Sequence, residues 1–248
     1  MSQQSQFSLL QKRRFLPFFL TQFFGAFNDN VFKQALILAI LFKIAVLADR
    51  DVLINLSAML FILPFFLFSA LGGQFGEKFA KDALIRTIKF GEIVIMLVGA
   101  AGLWLGSLPL LLFVLFAMGT QSALFGPVKY SILPQHLQPH ELIGGNALVE
   151  MGTFLAILGG TLYAGLLMSG EHWAGWVAGS VLVLALLGFV ASLGIPRAHA
   201  AMPELEIDWN IFRQSWSILH LGLAQQVPSV SRSLLGNSWF WFLGATYL

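Results

Sequence analysis

The chain has 248 residues, of which 57% are hydrophobic and 10% charged, with a formal net charge of +2. A soluble domain carries roughly 25% charged residues. With a mean hydropathy of +0.79 the chain therefore reads as an all-α integral membrane protein, and the small net charge does not suggest a nucleic-acid footprint. It has no cysteine, which excludes disulfides and thiolate metal sites; neither metal nor cofactor is expected.

A helix that crosses a bilayer needs ~20 mainly apolar residues. The first such run is about Leu16–Leu41, and its middle carries Asn28, Asp29, Asn30, Lys33 and Gln34. A charge in the hydrocarbon core costs at least ~2.5–3.5 kcal/mol on insertion scales, and such residues usually face a bundle interior or a watery cavity. At about 100° per residue, Gln22, Gly25, Ala26, Asp29 and Lys33 share one narrow face. Asp29 and Lys33 stand four apart and can pair along the helix. The stripe is a candidate translocation path; the alternative is a neutralised ion pair that only packs. This N-terminal run is too long, and too interrupted by polar residues, for a secretory signal peptide.

The next runs are about Leu53–Leu71, Ile88–Leu105 and Leu108–Phe125. Glu92 in the third run reads first as an interfacial carboxylate reaching water, with a functional intramembrane acid as the alternative, and Gln121 in the fourth as an interhelical hydrogen-bonding residue that could also touch substrate. The fifth run, about Ala147–Met168, carries Gly152, Ala156, Gly160 and Ala164, a small-residue period that lets another helix approach closely. Glu150 lies elsewhere on that helix, near Asn146 in angle. It is either a path residue or an interfacial carboxylate. The sixth run is about Trp173–Ile195.

Residues 1–195 are thus expected to form a six-helix bundle, residues 196–232 a linker, and residues 233–248 the start of a seventh helix that the chain cuts off. Within the linker Trp209, Phe212, Trp216, Leu219 and Leu223 repeat at helical spacing after Asp208, a plausible N-cap. An amphipathic helix lying on the membrane face fits this pattern, as does an ordinary linker helix.

Charge predicts the orientation. Lys12, Arg13 and Arg14 precede the first span, and Lys78, Lys81, Arg86 and Lys89 surround the connection after the second. Lys129 follows the fourth span, and Arg197, Arg213 and Arg232 follow the sixth. On the other side Lys43 and Arg50 flank the first loop, while the loops near Gly106–Ser107 and Ser169–His172 carry no Lys or Arg. The positive-inside rule places the N-terminus and residues 196–232 in the cytoplasm, as expected of a multi-pass protein of the inner membrane.

Catalytic sets are not found. No GxxxxGK[ST], HExxH or GxSxG element is present. A phospholipid acyltransferase would show His followed five residues later by Asp, whereas His136 is followed by Glu141 and His199 by Glu204. No enzymatic activity is expected.

The stretch Gly73-Gln-Phe-Gly-Glu77-Lys78-Phe-Ala80-Lys81-Asp82 resembles the helix two–three loop motif of the major facilitator superfamily, with Glu77 for the commoner Asp, Ala80 for Gly, and Asp82 where a second base might stand. Its physical sense is a Gly-eased turn with charges at helix termini that can latch two halves together. Three further segments, FFGAFNDNVFKQAL at 23–36, FGPVKYSILPQHL at 125–137 and GGNALVEMGTFLAILGG at 144–160, resemble the lysophospholipid transporter branch of that superfamily. Asn28 stands where that branch often has Gly.

The resemblance covers nearly the whole chain but only the first half of a twelve-helix transporter. It implies the six-helix N-terminal bundle of a major facilitator fold, with Asp29 as the functional acid of the first helix. Lys129 and Tyr130 match a loop element after the fourth helix, and Asn146 and Glu150 an element of the fifth. The implied activity is movement of lysophospholipid to the cytoplasmic leaflet for reacylation. The implied partners are membrane lipid, the lysophospholipid substrate, and a missing C-terminal half or fused acyltransferase and acyl–acyl carrier protein synthetase domains. Two other readings remain open: a major facilitator carrier of a different small molecule or drug, and the membrane anchor of a fused acyltransferase.

Overall fold

The computed structural model describes residues 6–44, 50–210, 213, 214, 216 and 220; among them every regular element is helical. Seven α-helices follow a 3-10 turn at Gln6–Gln11: α1 (Leu16–Ala39), α2 (Arg50–Lys78), α3 (Lys81–Leu105), α4 (Leu108–Ser131), the single-turn α5 (Leu133–His136), α6 (Leu142–Leu167) and α7 (Trp173–Leu193). The expected seventh span at 233–248 lies outside the described residues. Contacts divide the chain into two units, Met1–Glu206 and Ile207–Leu248.

Local chemistry sets the helix ends. Pro17 and Pro109 sit in the first turns of α1 and α4, where a missing N–H costs nothing. Gly106 closes α3 at φ +61, a left-handed cap that glycine adopts without a Cβ penalty. Its N–H bonds to the Leu103 carbonyl at 3.3 Å, and the Ser107 N–H to Gly102 at 3.0 Å.

The helices run further than their apolar windows. α2 continues through Lys78 and α3 starts at Lys81, so the connection between them is only Phe79–Ala80. Gly73, Glu77 and Lys78 therefore lie on α2 rather than in a loop, and Lys81 is the first residue of α3. Likewise α4 reaches Ser131, with Pro127 inside it, so Lys129 and Tyr130 belong to its last turns and not to a following loop. The physical reason is common to both. A lysine near a helix C-terminus interacts well with the unsatisfied carbonyls there, so a charge ends the apolar run without ending the helix.

Among the described residues five helices are long and apolar enough to cross a membrane, by length and composition. α1 is not among them because of its polar middle, yet its 24 residues would reach ~36 Å at 1.5 Å each. With large apolar side chains such as Phe66, Trp104, Phe154 and Trp176 turned outward, the chain is a multi-pass membrane protein.

The principal packing runs α6–α1–α7–α3–α4–α2, which leaves α6 and α2 at the ends of the series and α1, α7, α3 and α4 between them. Two apolar cores form. One gathers Phe32, Leu36, Met96, Leu115 and Val181; the other gathers Phe15, Phe18, Ile85, Ile132 and Leu148. On α1 the first core begins at Val31 and the second ends at Phe18. The polar belt Gln22–Asn30 separates them.

Beyond α7 the chain does not leave the bundle at once. The Ala198 carbonyl accepts the Lys81 N–H at 3.2 Å, and the Ala198 N–H donates to Asp82 Oδ1 at 3.0 Å. The Met202 N–H reaches the Glu77 carbonyl at 2.9 Å, and Gln135 Nε2 donates to the His199 carbonyl at 3.1 Å. Residues 195–202 thus strap the α2–α3 turn to α5, within the first unit. The second unit shows Asp208 in an Asx turn, its Oδ1 accepting the Asn210 N–H at 2.9 Å. Asn210 Oδ1 accepts the Arg213 N–H at 3.0 Å, so the cap expected of Asp208 is made by Asn210. The Asn210 N–H, with donors from Gln214 and Arg213, holds the Asp208 carboxyl down at about 2. Phe212, Leu219, Leu223 and Arg232 lie outside the described residues.

Candidate functional site

Asn28, Glu92 and Gln121 each stand within two residues of the midpoint of α1, α3 and α4. Side-chain bonds join them. Glu92 Oε1 accepts from Asn28 Nδ2 at 2.9 Å, and Glu92 Oε2 accepts from Gln121 Nε2 at 3.1 Å. Lys89, one turn back on α3, closes an ion pair with Glu92 Oε2 at 2.6 Å. Its ammonium also lies 5.2 Å from the centre of the Phe125 ring. Glu92 and Asn28 are fully buried and Lys89 is 1% exposed. A buried pair persists only when its remaining lone pairs and protons are hydrogen-bonded, and the two amides do that for Glu92. Gly25 of α1 leaves the space: any Cβ there would run into the Lys89 ammonium.

Next to this network Asp29 Oδ2 accepts from Ser122 Oγ at 2.7 Å, bridging α1 to α4. Asp29 does not pair with Lys33. Among the described residues no Lys or Arg nitrogen comes within 4 Å of its carboxylate. Lys33 instead stands 5.3 Å from the centre of the Phe61 ring on α2, a cation–π contact. Four apart on a helix is a permissive spacing, and here neighbouring helices offer each side chain another partner.

A second polar cluster links α1, α4 and α6. Lys129 Nζ donates to Thr153 Oγ1 at 2.8 Å, and Thr153 Oγ1 donates to Gln22 Oε1 at 3.0 Å. Lys129 lies 3.8 Å from Glu150 Oε1, and the Tyr130 hydroxyl donates to the same oxygen. Lys129, Tyr130 and Glu150, three of the four residues that the resemblance marks after the fourth span and on the fifth, are thus brought together, with Glu150 bonded to protein partners.

Other expected residues are placed elsewhere. Asn30 returns its amide to the Ala26 carbonyl at 2.8 Å and packs toward Gly160 of α6. Asn146 is exposed and bonds the Leu142 carbonyl of its own helix at 3.0 Å. Neither joins the two clusters. Of the residues around the α2–α3 turn, Lys81 is 1% and Asp82 6% exposed. Arg86 pairs with Asp82 at 3.2 Å and donates to the Ile195 carbonyl at 3.1 Å. The Asp82 carboxylate and the Arg86 guanidinium hold the strap, and Lys81 holds it through its backbone N–H.

Glu92 and Lys89 are the residues that sequence reasoning missed. Glu92 is no interfacial carboxylate, and Lys89, grouped above with the bases around the connection, lies deep in the bundle, because α3 begins seven residues before the expected Ile88. The signal was available in their opposite charges three apart, a spacing that pairs on a helix.

Beside Gln121 an apolar groove of about 520 Å³ runs between α2, α3 and α4, lined by Phe75, Leu84, Gly91, Phe113 and Phe116 among others.

The chain is similar to curated proteins named lysophospholipid transporter LplT. It is 32% identical over 229 residues to those of Shigella dysenteriae serotype 1 and of Escherichia coli strain K12, an alignment that takes in 92% of this chain and 54% of each relative. The same figures hold for Shigella boydii serotype 18. The chain spans about half the length of the curated relatives it matches. No family model and no solved structure matches it.

Proposed function

We propose that this chain is the N-terminal half of a major facilitator transporter that moves lysophospholipid to the cytoplasmic leaflet of the inner membrane, and that it carries no enzymatic activity. The observation that carries the reading is its similarity to lysophospholipid transporters along nearly its whole length. The geometry supports it. A lysophospholipid has one acyl chain and a charged headgroup. Headgroup charges need fixed partners at membrane depth, where unpaired polar groups cost several kcal/mol. Asp29, Lys33 and Gln121 near the middle of the bundle, and Lys129, Tyr130 and Glu150 nearer one end, offer both signs of charge along α1, α4 and α6.

In such folds the substrate site lies near the midplane between two halves that rock against each other. The second half, or a fused acyltransferase and synthetase region, is the expected partner. Asn28, through Glu92, holds the stripe in place. Gly73, Glu77, Lys78 and Lys81 form the end of the α2–α3 hairpin that latches the halves.

Asp29→Asn in the complete transporter tests the reading. The change is isosteric and keeps an acceptor for Ser122, so membrane expression should stay near normal while lysophosphatidylethanolamine uptake by spheroplasts falls at least tenfold. Uptake close to that of the unmodified protein would remove Asp29 from the path.

A further inference from the structure

We propose that Asn28, Asp29 and Gln121 form a binding site for a small alkali cation, with sodium the best fit. Three buried oxygens at this place accept nothing: Asn28 Oδ1, Asp29 Oδ1 and Gln121 Oε1. Asn28 is fully buried and Gln121 is 8% exposed. The three belong to one place, since both amides donate to the same Glu92 carboxylate and the Asp29–Ser122 bond joins the adjacent residues across the same α1–α4 seam. Each amide has already spent an N–H on Glu92, so its oxygen is the atom left over.

The contacts of Asp29 bear on the same place. Lys89 and Glu92 pair with each other at 2.6 Å. Lys33 lies against the Phe61 ring and makes no direct contact with Asp29. Asp29 has only the hydroxyl of Ser122 as a direct partner, and a buried polar atom left without one is costly. A proton would neutralise Asp29 but supply a single donor for the remaining oxygens. A bare cation answers all of them, because hard cations take carboxylate and amide carbonyl oxygens together.

The test uses the 248-residue chain purified in detergent, with no lipid substrate, so its outcome is independent of the lysophospholipid reading. Binding of radioactive sodium is followed at constant ionic strength with choline as the replacement ion. One saturable site per chain is expected, displaced by unlabelled sodium and not by choline, with affinity at least tenfold weaker in Asp29→Asn. Gln121→Leu, which removes the oxygen, should weaken binding as well. As a check that does not depend on either variant folding, the unfolding midpoint of the unmodified chain should rise with sodium but not with choline. No saturable sodium binding by the unmodified chain would overturn the proposal. So would undiminished binding in folded Asp29→Asn, or a midpoint that responds to pH and not to sodium.

Discussion

At the scale of single residues, Glu92 is the side chain on which the bundle's polar centre depends. It accepts from Lys89, Asn28 and Gln121, so three helices meet at one carboxylate. Breaking a buried pair by removing one charge costs ~3–5 kcal/mol, since the partner is left charged and unpaired. Glu92→Gln alone should therefore lower the unfolding midpoint in detergent sharply, and so should Lys89→Met. The double variant removes both charges, while the amide that replaces the carboxylate can offer its oxygen to one of Asn28 and Gln121 and its N–H to the turned-over amide oxygen of the other. It should recover most of the loss of either single change. A double variant as unstable as the sum of the two would mean that Lys89 and Glu92 are not coupled in the folded protein.

At the scale of helices, the small-residue stripe of α6 finds its partner inside the chain. A Cβ at Gly160 would lie 2.6 Å from the Phe27 carbonyl of α1, and one at Gly152 would lie 2.7 Å from the Phe19 ring. Close backbone approach is what small residues permit between membrane helices, so the stripe need not await a surface elsewhere. Gly160→Ala should cost ~1–3 kcal/mol, the usual penalty of overpacking. Gly165, five residues on, has open space around its Cβ position. There alanine should be neutral or better, since glycine costs a helix ~0.8–1 kcal/mol. Unfolding midpoints of the two variants check the contrast.

The stripe was legible in the sequence because its four-residue period is a property of one helix. So were the spans, as runs of apolar residues, and the buried Asn28–Asp29 pair, as polarity where none is expected. What could not be read was the partner of each polar group. Asp29 bonds Ser122, 93 residues away, and Glu92 bonds Asn28, 64 residues away. Spacing within one helix says nothing of what a neighbouring helix presents. Helix ends were misread where Lys81, Asp82 and Arg86 continue α3 past the apolar run, and that error hid Glu92.

At the scale of the whole molecule, the fold collects most of the basic residues at one end of the first unit. Lys12 and Arg14 pair there with Glu141 at 2.8 and 2.7 Å. Arg14 also bonds the His136 carbonyl at 2.9 Å, and Arg86 binds the end of α7 through the Ile195 carbonyl. The strap runs along this same end. Its anchor is Asp82, which takes the Ala198 N–H while paired to Arg86. Asp82→Ala should free the strap, so amide exchange at Ala198 and Met202 should speed up while the amides of α1 and α6 keep their protection. Unchanged exchange at Ala198 would mean that the strap is held without Asp82.

Which face of the membrane this end meets follows from where the charges are. Lys and Arg near span ends are retained on the cytoplasmic side. Lys43 and Arg50, at the far end of α1 and the start of α2, are outnumbered by Lys12, Arg14, Lys78, Lys81, Arg86, Lys129 and Arg197. The basic end, and the N-terminus with it, is therefore expected in the cytoplasm. The structure also chooses the probe. Lys81 is 1% exposed and would report nothing, whereas Phe79 in the α2–α3 turn is 44% exposed, and Ser169 in the α6–α7 connection is exposed too. Because the chain has no cysteine, Phe79→Cys and Ser169→Cys each carry a single thiol. In intact spheroplasts an impermeant maleimide should label Ser169→Cys and spare Phe79→Cys, and permeabilisation should make the second reactive. The opposite pattern would invert the orientation while leaving the bundle as described, because the packing of α1, α3 and α4 around Glu92 is the same whichever end faces the cytoplasm.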